Sequence, residues 1–370
     1  MRKIHVPLLR GIRNLQSLRT LNSPERNSAV DVFRAVAIIV VALYHFKEIL
    51  PLGYIGVDLF FVISGLLVGG LLTRSFANDK KINFFKFFLQ RGFKIWPSYF
   101  IFLGLGTVIA FYLAPEQVIP LWDIKRYIFF YQNYTGAPFH WSFDHVWSLC
   151  IEEHFYIMLP VAFIIVQRLY NKKEALFGLV GLVIVSGIVF KLLSLWFTRS
   201  QDTYSGTHVR IDALGWGVLL NLIIVYYSQL LKRRRSYLVS LLGTLMGIAA
   251  VVVFCNTDSV YYKKVVFHSL IPFCFFLMIA GLYYYDLSRL KLLRFIAYYS
   301  YNWYLWHPLL SVIFRHYIES TVVGVVCYLG ISFSVAVLFT TIVEEPFLRL
   351  RKQVINRLFK PQLQYSYRSQ

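Results

Sequence analysis

The chain has 370 residues, of which 58% are apolar, 18% are aromatic and only 15% are charged. With a mean hydropathy of +0.57, it is too apolar for an ordinary soluble domain, and the composition indicates a polytopic membrane protein. The formal net charge is +20, but the cations stand in short blocks between long apolar runs rather than along one helix face. That distribution is typical of membrane topology signals and argues against nucleic acid as a partner.

Ten apolar segments are long enough to cross a hydrocarbon core, which takes roughly 17 to 25 helical residues. The sequence therefore predicts an all-α bundle of about ten transmembrane helices. These segments lie near residues 31–49, 57–73, 96–114, 145–167, 176–197, 209–230, 237–255, 265–285, 298–315 and 321–343.

Lysine and arginine are distributed unevenly between the two sides of such a bundle. Of the 38 cations, three lie within the predicted spans and only seven fall in the segments on one side. The remaining 28 share the other side with both termini, which the positive-inside rule places in the cytoplasm. The seven outer cations are Lys47, Lys125, Arg126, Arg199, Lys263, Lys264 and Arg315.

The pattern predicts one membrane domain with two basic flanks. Residues 1–30 form a basic cytoplasmic segment, residues 31–345 the ten-helix domain, and residues 346–370 a basic cytoplasmic tail. The largest outer loop, residues 115–144, is rich in aromatic side chains. We expect it to lie along the outer membrane interface and to cover the bundle.

The first span, within "VDVFRAVAIIVVALYHFKEIL", carries a cation and an imidazole. Arg34 and His45 are separated by ten residues that are apolar apart from the hydroxyl of Tyr44. That separation is roughly 16 Å of helix at about 1.5 Å per residue. Arg34 is therefore predicted near the cytoplasmic face and His45 at or beyond the middle of the membrane. Taken singly, they could be a positive-inside flank and a histidine bonded to a neighbouring helix.

Asp58 opens the second span, in "GYIGVDLFFVISGLL", after a turn that returns the chain beside the first span. It is therefore expected to approach His45 from the same outer side. A carboxylate beside an imidazole fixes the tautomer and raises the basicity, as a general base requires. The alternative is a helix N-cap. The glycines that follow are expected to allow close helix packing, and they are Gly65, Gly69 and Gly70.

The fourth span opens with two adjacent acids, in "HVWSLCIEEHFYIMLP". Ser148, Glu152 and Tyr156 recur every four residues and share one helix face, whereas Glu153 points elsewhere. A charged group near the membrane centre costs roughly 2.5–3.5 kcal/mol even on a lenient scale, so this pair indicates function. Because no HExxH or comparable ligand spacing accompanies the pair, no metal is expected.

Charged and polar side chains mark three later spans as well. Arg210 and Asp212, in "THVRIDALGWGVLL", open the sixth span and are expected to form an ion pair. His307 lies inside the ninth span, and Glu344 and Glu345 end the last one.

Taken in order, these blocks resemble the acyltransferase family 3 of integral-membrane acyltransferases. The resemblance covers about residues 28–350 and implies a ten-helix, multi-pass protein of the cell membrane. Such a protein takes an acyl group, usually acetyl from cytoplasmic acetyl-CoA, and delivers it to a hydroxyl of a glycan or other acceptor across the membrane. The blocks are Arg34-x10-His45, "GYIGVDLFFVISGLL", "FFLQRGFKIWPSYF", "HVWSLCIEEHFY", "HVRIDALGWGVLL", "YSYNWYLWHPLL" and "VEEPF".

The resemblance also implies roles for individual residues. In the third block this chain has Gln90 where a second arginine is usual, which leaves open which cation, Arg91 or Lys94, meets the donor. The implied catalytic residues are His45, Asp58, Glu152 and Glu153, the implied donor-binding residues are Arg34, Arg91 and Lys94, and the implied acceptor-side residues are Trp147, Arg210 and Asp212.

Two catalytic routes and one other function remain open at this point. His45 either deprotonates the acceptor hydroxyl or becomes transiently acylated. Many relatives carry a further hydrolase-like domain after the last span, so a second catalytic step is expected to need a separate partner protein. A lipid or glycan transporter also needs charges at the membrane midplane, but the two matching halves typical of transporters are not visible in the sequence.

Overall fold

The computed structural model describes residues 26–114, 119–120, 123–135, 140–197, 204–317 and 322–359. Within these ranges the regular structure is helical, without a β-strand, as predicted. The long helices are α1 (Ser28–His45), α2 (Gly56–Ala77), α3 (Phe84–Leu113), α4 (Trp147–Leu169), α5 (Lys173–Phe197), α6 (Thr207–Tyr226), α7 (Tyr237–Asn256), α8 (His268–Leu282), α9 (Lys291–Tyr317), α10 (Val322–Phe339) and α11 (Glu345–Leu358).

Helices α1 to α10 each overlap one of the ten predicted spans. Nine helical stretches of the described chain are both long and apolar enough to cross a membrane, and α9 is the predicted span that lies outside that set. Its 27 residues suffice in length, but its sequence is more polar. Ser300, Asn302 and His307 are all fully buried, so the polar face of α9 is turned into the bundle. The polytopic membrane class is therefore confirmed, with α9 as an interior helix.

The third helix begins earlier than its apolar segment suggested. Asn83 caps α3, since its side chain accepts a hydrogen bond of 2.9 Å from the amide of Lys86. Arg91 and Lys94 consequently lie inside α3 rather than before it. The helix thus holds both cations rigidly toward its neighbours.

A sharp turn joins α1 to α2. Asn27 caps the start of α1, and His45 is its last residue. The backbone then turns through left-handed conformations at Lys47 (φ 53°) and Glu48 (φ 50°). Gly53 then lies so close to α1 that an added Cβ would be 2.2 Å from the carbonyl oxygen of Val40. The second span returns beside the first, as the sequence predicts.

Glycines bring α2 and α6 into direct backbone contact. A Cβ on Gly65 would lie 2.0 Å from the carbonyl oxygen of Leu214, and a Cβ on Gly217 would lie 2.0 Å from that of Val62. The predicted packing role of Gly65 is thereby confirmed. Because both helices begin on the same side of the bundle, the polar residues in their first turns, Asp58 and Arg210, come together.

Hydrogen bonds between loops define two sides of the bundle. On the side where α1 begins, here the Arg34 side, Asn27 donates to the carbonyl of Tyr283 at 2.8 Å. On the opposite side, here the His45 side, Asn133 donates to the carbonyl of Ser205 at 3.1 Å. These contacts fit helices that alternate in direction through the bundle.

We expect both termini and the whole Arg34 side to face the cytoplasm, because that side carries 28 of the 38 cations. Reporter domains fused after residue 235 should be active only in the cytoplasm, and reporters fused after Asn256 only outside. A reporter after residue 235 that is active outside would contradict the predicted orientation.

Candidate functional site

Three histidines meet at the His45 end of α1. The ring of His45 lies 4.9 Å from that of His307 on α9, measured between centroids, and 6.5 Å from that of His145 before α4. His145 and His307 are themselves 5.9 Å apart. All three side chains come from different parts of the chain, so the cluster exists only in the folded bundle.

Backbone carbonyls fix the tautomers of two of these rings. Nδ1 of His307 lies 2.9 Å from the carbonyl oxygen of Trp303, and Nδ1 of His45 lies 3.0 Å from that of Val41. Because a carbonyl only accepts, both Nδ1 atoms carry the proton. Nε2 of His307 lies 3.2 Å from Nδ1 of His45. The Nδ1–H of His45 is therefore shared between two acceptors, the carbonyl oxygen of Val41 and Nε2 of His307. Nε2 of His45 therefore keeps a free lone pair, as a general base or nucleophile requires.

That imidazole borders a cavity of about 380 Å³ on the His45 side. We call it the His45 cavity. Its walls include aromatic side chains that suit a sugar ring, and a carboxylate, Asp144, stands at its exposed rim. The ring-bearing side chains that line it include Tyr44, His45, His145, Trp147, Tyr204 and His268.

The structure places Asp58 differently from the sequence prediction. Its carboxylate is not paired with His45 but with the guanidinium of Arg210, and both side chains are fully buried, at 0% and 1% exposure. The ring of Tyr204 covers the same guanidinium at 4.4 Å. His307 therefore takes the orienting position beside His45 that the sequence analysis gave to Asp58.

The expected ion pair within the sixth span is also replaced. Asp212 binds the ammonium of Lys191 on α5 at 2.5 Å rather than Arg210. Lys191 in turn donates to the carbonyl oxygen of His268 at 3.0 Å. Residues two apart on a helix point to different faces, so Arg210 and Asp212 pair with different neighbouring helices.

A second polar cluster lies toward the Arg34 side. Arg34 is within electrostatic range of Glu152 and Glu344, and Lys94 is within range of Arg34 and Arg351. Lys94 forms a hydrogen-bonded ion pair with Glu344, whose carboxylate also accepts from Asn302 at 2.8 Å. The π-helical turn Thr340–Glu344 between α10 and α11 presents this carboxylate.

The two acids of α4 belong to this inner cluster and not to the His45 cavity. Tyr156 donates to Glu152 at 2.8 Å, as expected for residues on one face, and Trp96 donates to Glu153 at 3.2 Å. Arg91 stacks over the ring of Tyr156 at 5.5 Å. Neither acid lines the His45 cavity, so the fold does not place these two implied catalytic residues beside His45.

A cavity of about 340 Å³ opens beside this cluster on the Arg34 side. Arg91 from α3 and Arg351 and Lys352 from α11 line it, together with Gln90 and Asn356. Arg351 donates to the carbonyl oxygen of Gln90 at 3.3 Å, which ties α11 to α3. From the sequence, Arg351 is only one cation of the predicted basic tail, because nothing in its local pattern distinguishes it from the others there.

Other residues of the site were equally invisible to local patterns. His145 and Lys191 have no distinguishing pattern in the local sequence, and His307 stands out there only as a polar residue inside a span. Each lies close to a partner more than 20 residues away in the sequence. Among the residues that the structure describes, no group of three or more His, Cys, Asp or Glu side chains is arranged to hold a metal ion.

The fold and the site define a polytopic membrane protein with a polar interior. Its cationic cluster and its histidine cluster lie toward opposite ends of α1, whose residues Arg34 and His45 are roughly 16 Å apart along the helix. Over residues 27–341 the sequence matches a family described as an acyltransferase domain. The chain belongs to this acyltransferase family, as its ordered motifs indicated.

Two relatives from Staphylococcus aureus illustrate the similarity. A protein of strain COL named "Putative O-acetyltransferase" is 27% identical over 363 residues, covering 89% of this chain and 58% of the relative. The O-acetyltransferase OatA of strain NCTC 8325 is 24% identical over 337 residues, covering 84% of this chain and 55% of the relative. The chain thus spans less than two thirds of the length of these relatives. No solved structure matches the chain.

Proposed function

We propose that this protein transfers an acetyl group from cytoplasmic acetyl-CoA to a hydroxyl of a glycan on the far side of the plasma membrane. The observation that carries the proposal is the pair of contacts made by Nδ1 of His45. The carbonyl of Val41 and the ring of His307 engage Nδ1, which leaves Nε2 as a base beside a cavity. The family match and the O-acetyltransferase names of the relatives support the reaction type.

The donor enters from the Arg34 side in this proposal. Coenzyme A carries several phosphates, and arginine guanidinium groups bind phosphate through paired, charge-assisted hydrogen bonds. Arg91, Arg351 and Lys352 supply three cations at one open cavity, and Arg34 lies on the same side of the bundle, toward the opposite end of α1 from His45. The extended pantetheine arm then reaches between the helices, so that the thioester arrives near His45.

His45 performs the proton transfer on the direct route. Nε2 takes the proton of the acceptor hydroxyl while its oxygen attacks the thioester carbonyl. The carbon–sulfur bond breaks, the new oxygen–carbon bond forms, and the proton passes from the imidazolium to the departing thiolate. His307 keeps its Nε2 toward Nδ1–H of His45 throughout, which holds the ring in place.

The same atom also serves the stepwise route. Nε2 attacks the thioester carbonyl, the carbon–sulfur bond breaks, and coenzyme A leaves as the thiolate while the acyl group stays on Nε2. The acceptor oxygen then attacks the acyl carbon, the carbon–nitrogen bond breaks, and the hydroxyl proton passes by way of the imidazole to the thiolate. Because Nδ1 is engaged on both routes, the structure accommodates either. Acyl-imidazole trapped by rapid acid quench, followed by mass spectrometry of the peptide that contains His45, would select the stepwise one.

Arg34→Ala is expected to weaken acetyl-CoA binding by at least tenfold. The reason is that a charge-assisted hydrogen bond to phosphate contributes about 1.5–3 kcal/mol, and about 1.4 kcal/mol corresponds to a factor of ten. The measurement is acetyl-CoA affinity by isothermal titration with purified protein in nanodiscs. Arg351→Ala, tested in the same way, should weaken binding similarly.

Arg357→Ala is the matched control, because Arg357 is an exposed arginine on the same helix as Arg351 and does not line the donor cavity. Its affinity for acetyl-CoA should stay within twofold of the unmodified protein. Unchanged acetyl-CoA affinity in both Arg34→Ala and Arg351→Ala would show that the donor does not bind at the cationic cluster on the Arg34 side.

A further inference from the structure

A second cavity on the His45 side, of about 200 Å³, is lined by cations. We call it the lysine cavity. It lies where α6, the π-helical turn Tyr262–Phe267 and the first turn of α8 meet. Its polar walls are Lys191, Ser194, Tyr204, Arg210, Lys263, Lys264 and His268, and no carboxylate is among the residues that line it.

The charges around this cavity do not balance. Asp58 and Asp212 pair with Arg210 and Lys191 and thereby neutralise two of its four cations. Lys263 and Lys264 take part in no ion pair with a carboxylate of the described residues. Two positive charges therefore remain at a partly enclosed cavity, where an anion would be held more strongly than in open water.

Arg210 has hydrogen-bonding capacity left over. Only its Nη2 is engaged, by Asp58 and, at 3.4 Å, by the hydroxyl of Tyr204. Nε and Nη1 are buried and have no hydrogen-bond partner among the described residues. A buried guanidinium rarely leaves donors unpaired, and its planar fork suits a carboxylate or phosphate.

The lysine cavity adjoins the His45 cavity. Tyr204 and His268 line both. Burial raises the pKa of the Tyr204 hydroxyl, so this residue of the shared wall stays uncharged. A ligand that spans both cavities would place one end among the cations and the other end beside Nε2 of His45. Of these two cavities, only the His45 cavity is lined by the exposed carboxylate of Asp144. The two cavities therefore differ in charge.

We infer that the acceptor is an anionic glycan. A carboxylate or phosphate on the acceptor binds Arg210, Lys263 and Lys264 in the lysine cavity, and this contact orients the hydroxyl that is acylated toward His45. The inference rests on the acyl transfer proposed above and narrows its substrate to sugars that carry a negative charge. The donor phosphates belong to the separate cluster near Arg34.

The test compares three acceptors that share one sugar ring, namely a carboxylate-bearing glycoside, a glycosyl phosphate and the neutral parent glycoside. Full-length protein in nanodiscs of zwitterionic lipid is assayed for transfer of labelled acetyl from acetyl-CoA, and for binding of each acceptor. We expect at least one anionic acceptor to exceed the neutral one at least tenfold in kcat/KM. The preferred anion identifies whether a carboxylate or a phosphate is recognised.

The double variant Lys263→Gln/Lys264→Gln should lose at least tenfold in kcat/KM for the anionic acceptor and stay within twofold for the neutral one. Lys125→Gln is the matched control, because Lys125 is an exposed lysine on the same side that lines neither cavity. Its acceptor preference should be unchanged. Added salt should weaken the preference of the unmodified protein, because it screens exposed charges.

Several outcomes separate this inference from the proposed function. Equal transfer to neutral and anionic sugars would overturn the inference and leave acyl transfer intact. Lysine-dependent binding of the anionic sugar without acetyl transfer would support the anion site and overturn the proposed reaction. If the double variant loses activity only in nanodiscs of anionic lipid, with its acceptor preference unchanged, the lysines bind lipid headgroups and the inference fails.

Discussion

His45→Gln is expected to lower acyl transfer by at least about 10²-fold, the contribution typical of a general base. Glutamine keeps a side chain of similar size and can still donate to the carbonyl of Val41 and to His307. It neither titrates near neutrality nor acts as a nucleophile. The measurement is transfer of labelled acetyl from acetyl-CoA to a soluble oligosaccharide in reconstituted vesicles, with acetyl-CoA affinity determined on the same preparation.

Acetyl-CoA affinity should be unchanged in His45→Gln, because the cations proposed to bind the donor lie toward the other end of α1. A folded variant that transfers acetyl at a rate close to that of the unmodified protein would make His45 structural. The carboxylates Glu152 and Glu153 would then be the next candidates.

His307 provides a companion test of the orienting role. His307→Leu removes one of the two acceptors for Nδ1–H of His45 and leaves the carbonyl of Val41 as the other. It should lower kcat about tenfold while leaving the KM for acetyl-CoA unchanged. His307→Gln restores a hydrogen-bond acceptor and should recover part of the loss. Equal rates in the two variants would show that His307 only fills space.

Asp58→Ala is expected to destabilise the protein by roughly 3–5 kcal/mol, because it leaves the guanidinium of Arg210 buried without its counter-charge. Both side chains are almost completely inaccessible, so solvent cannot screen the loss. The double variant Asp58→Ala/Arg210→Met removes both charges and should recover most of that free energy of unfolding. Denaturation in mixed detergent micelles, followed by circular dichroism, measures the difference.

Glu174→Ala serves as the control for this measurement. Glu174 faces Lys173 at 4.0 Å with 70% of its side chain exposed, and exposed pairs contribute about 0–1 kcal/mol. Its free energy of unfolding should therefore change little. A loss in Asp58→Ala no larger than the loss in this control would contradict a buried, essential ion pair between α2 and α6.

The sequence by itself determined the features that depend on local composition and spacing. Apolar length placed the helices, since a hydrocarbon core accepts only segments whose backbone groups bond internally. The interval between Arg34 and His45 placed a cation and an imidazole toward opposite ends of one helix, because the helical rise per residue is fixed. The glycines of α2 indicated close packing, although the sequence does not identify the partner helix. The ordered motifs identified the family.

The tertiary structure alone decided which polar groups meet. Asp58 pairs with Arg210 across 152 positions of sequence, and His45 contacts His307 across 262. Nearness in sequence was misleading at Arg210 and Asp212, because side chains two residues apart leave a helix in different directions. In a medium of low polarity each buried charge must find a partner among the helices that surround it. Those neighbours are set by the packing of the whole bundle, which no single segment encodes.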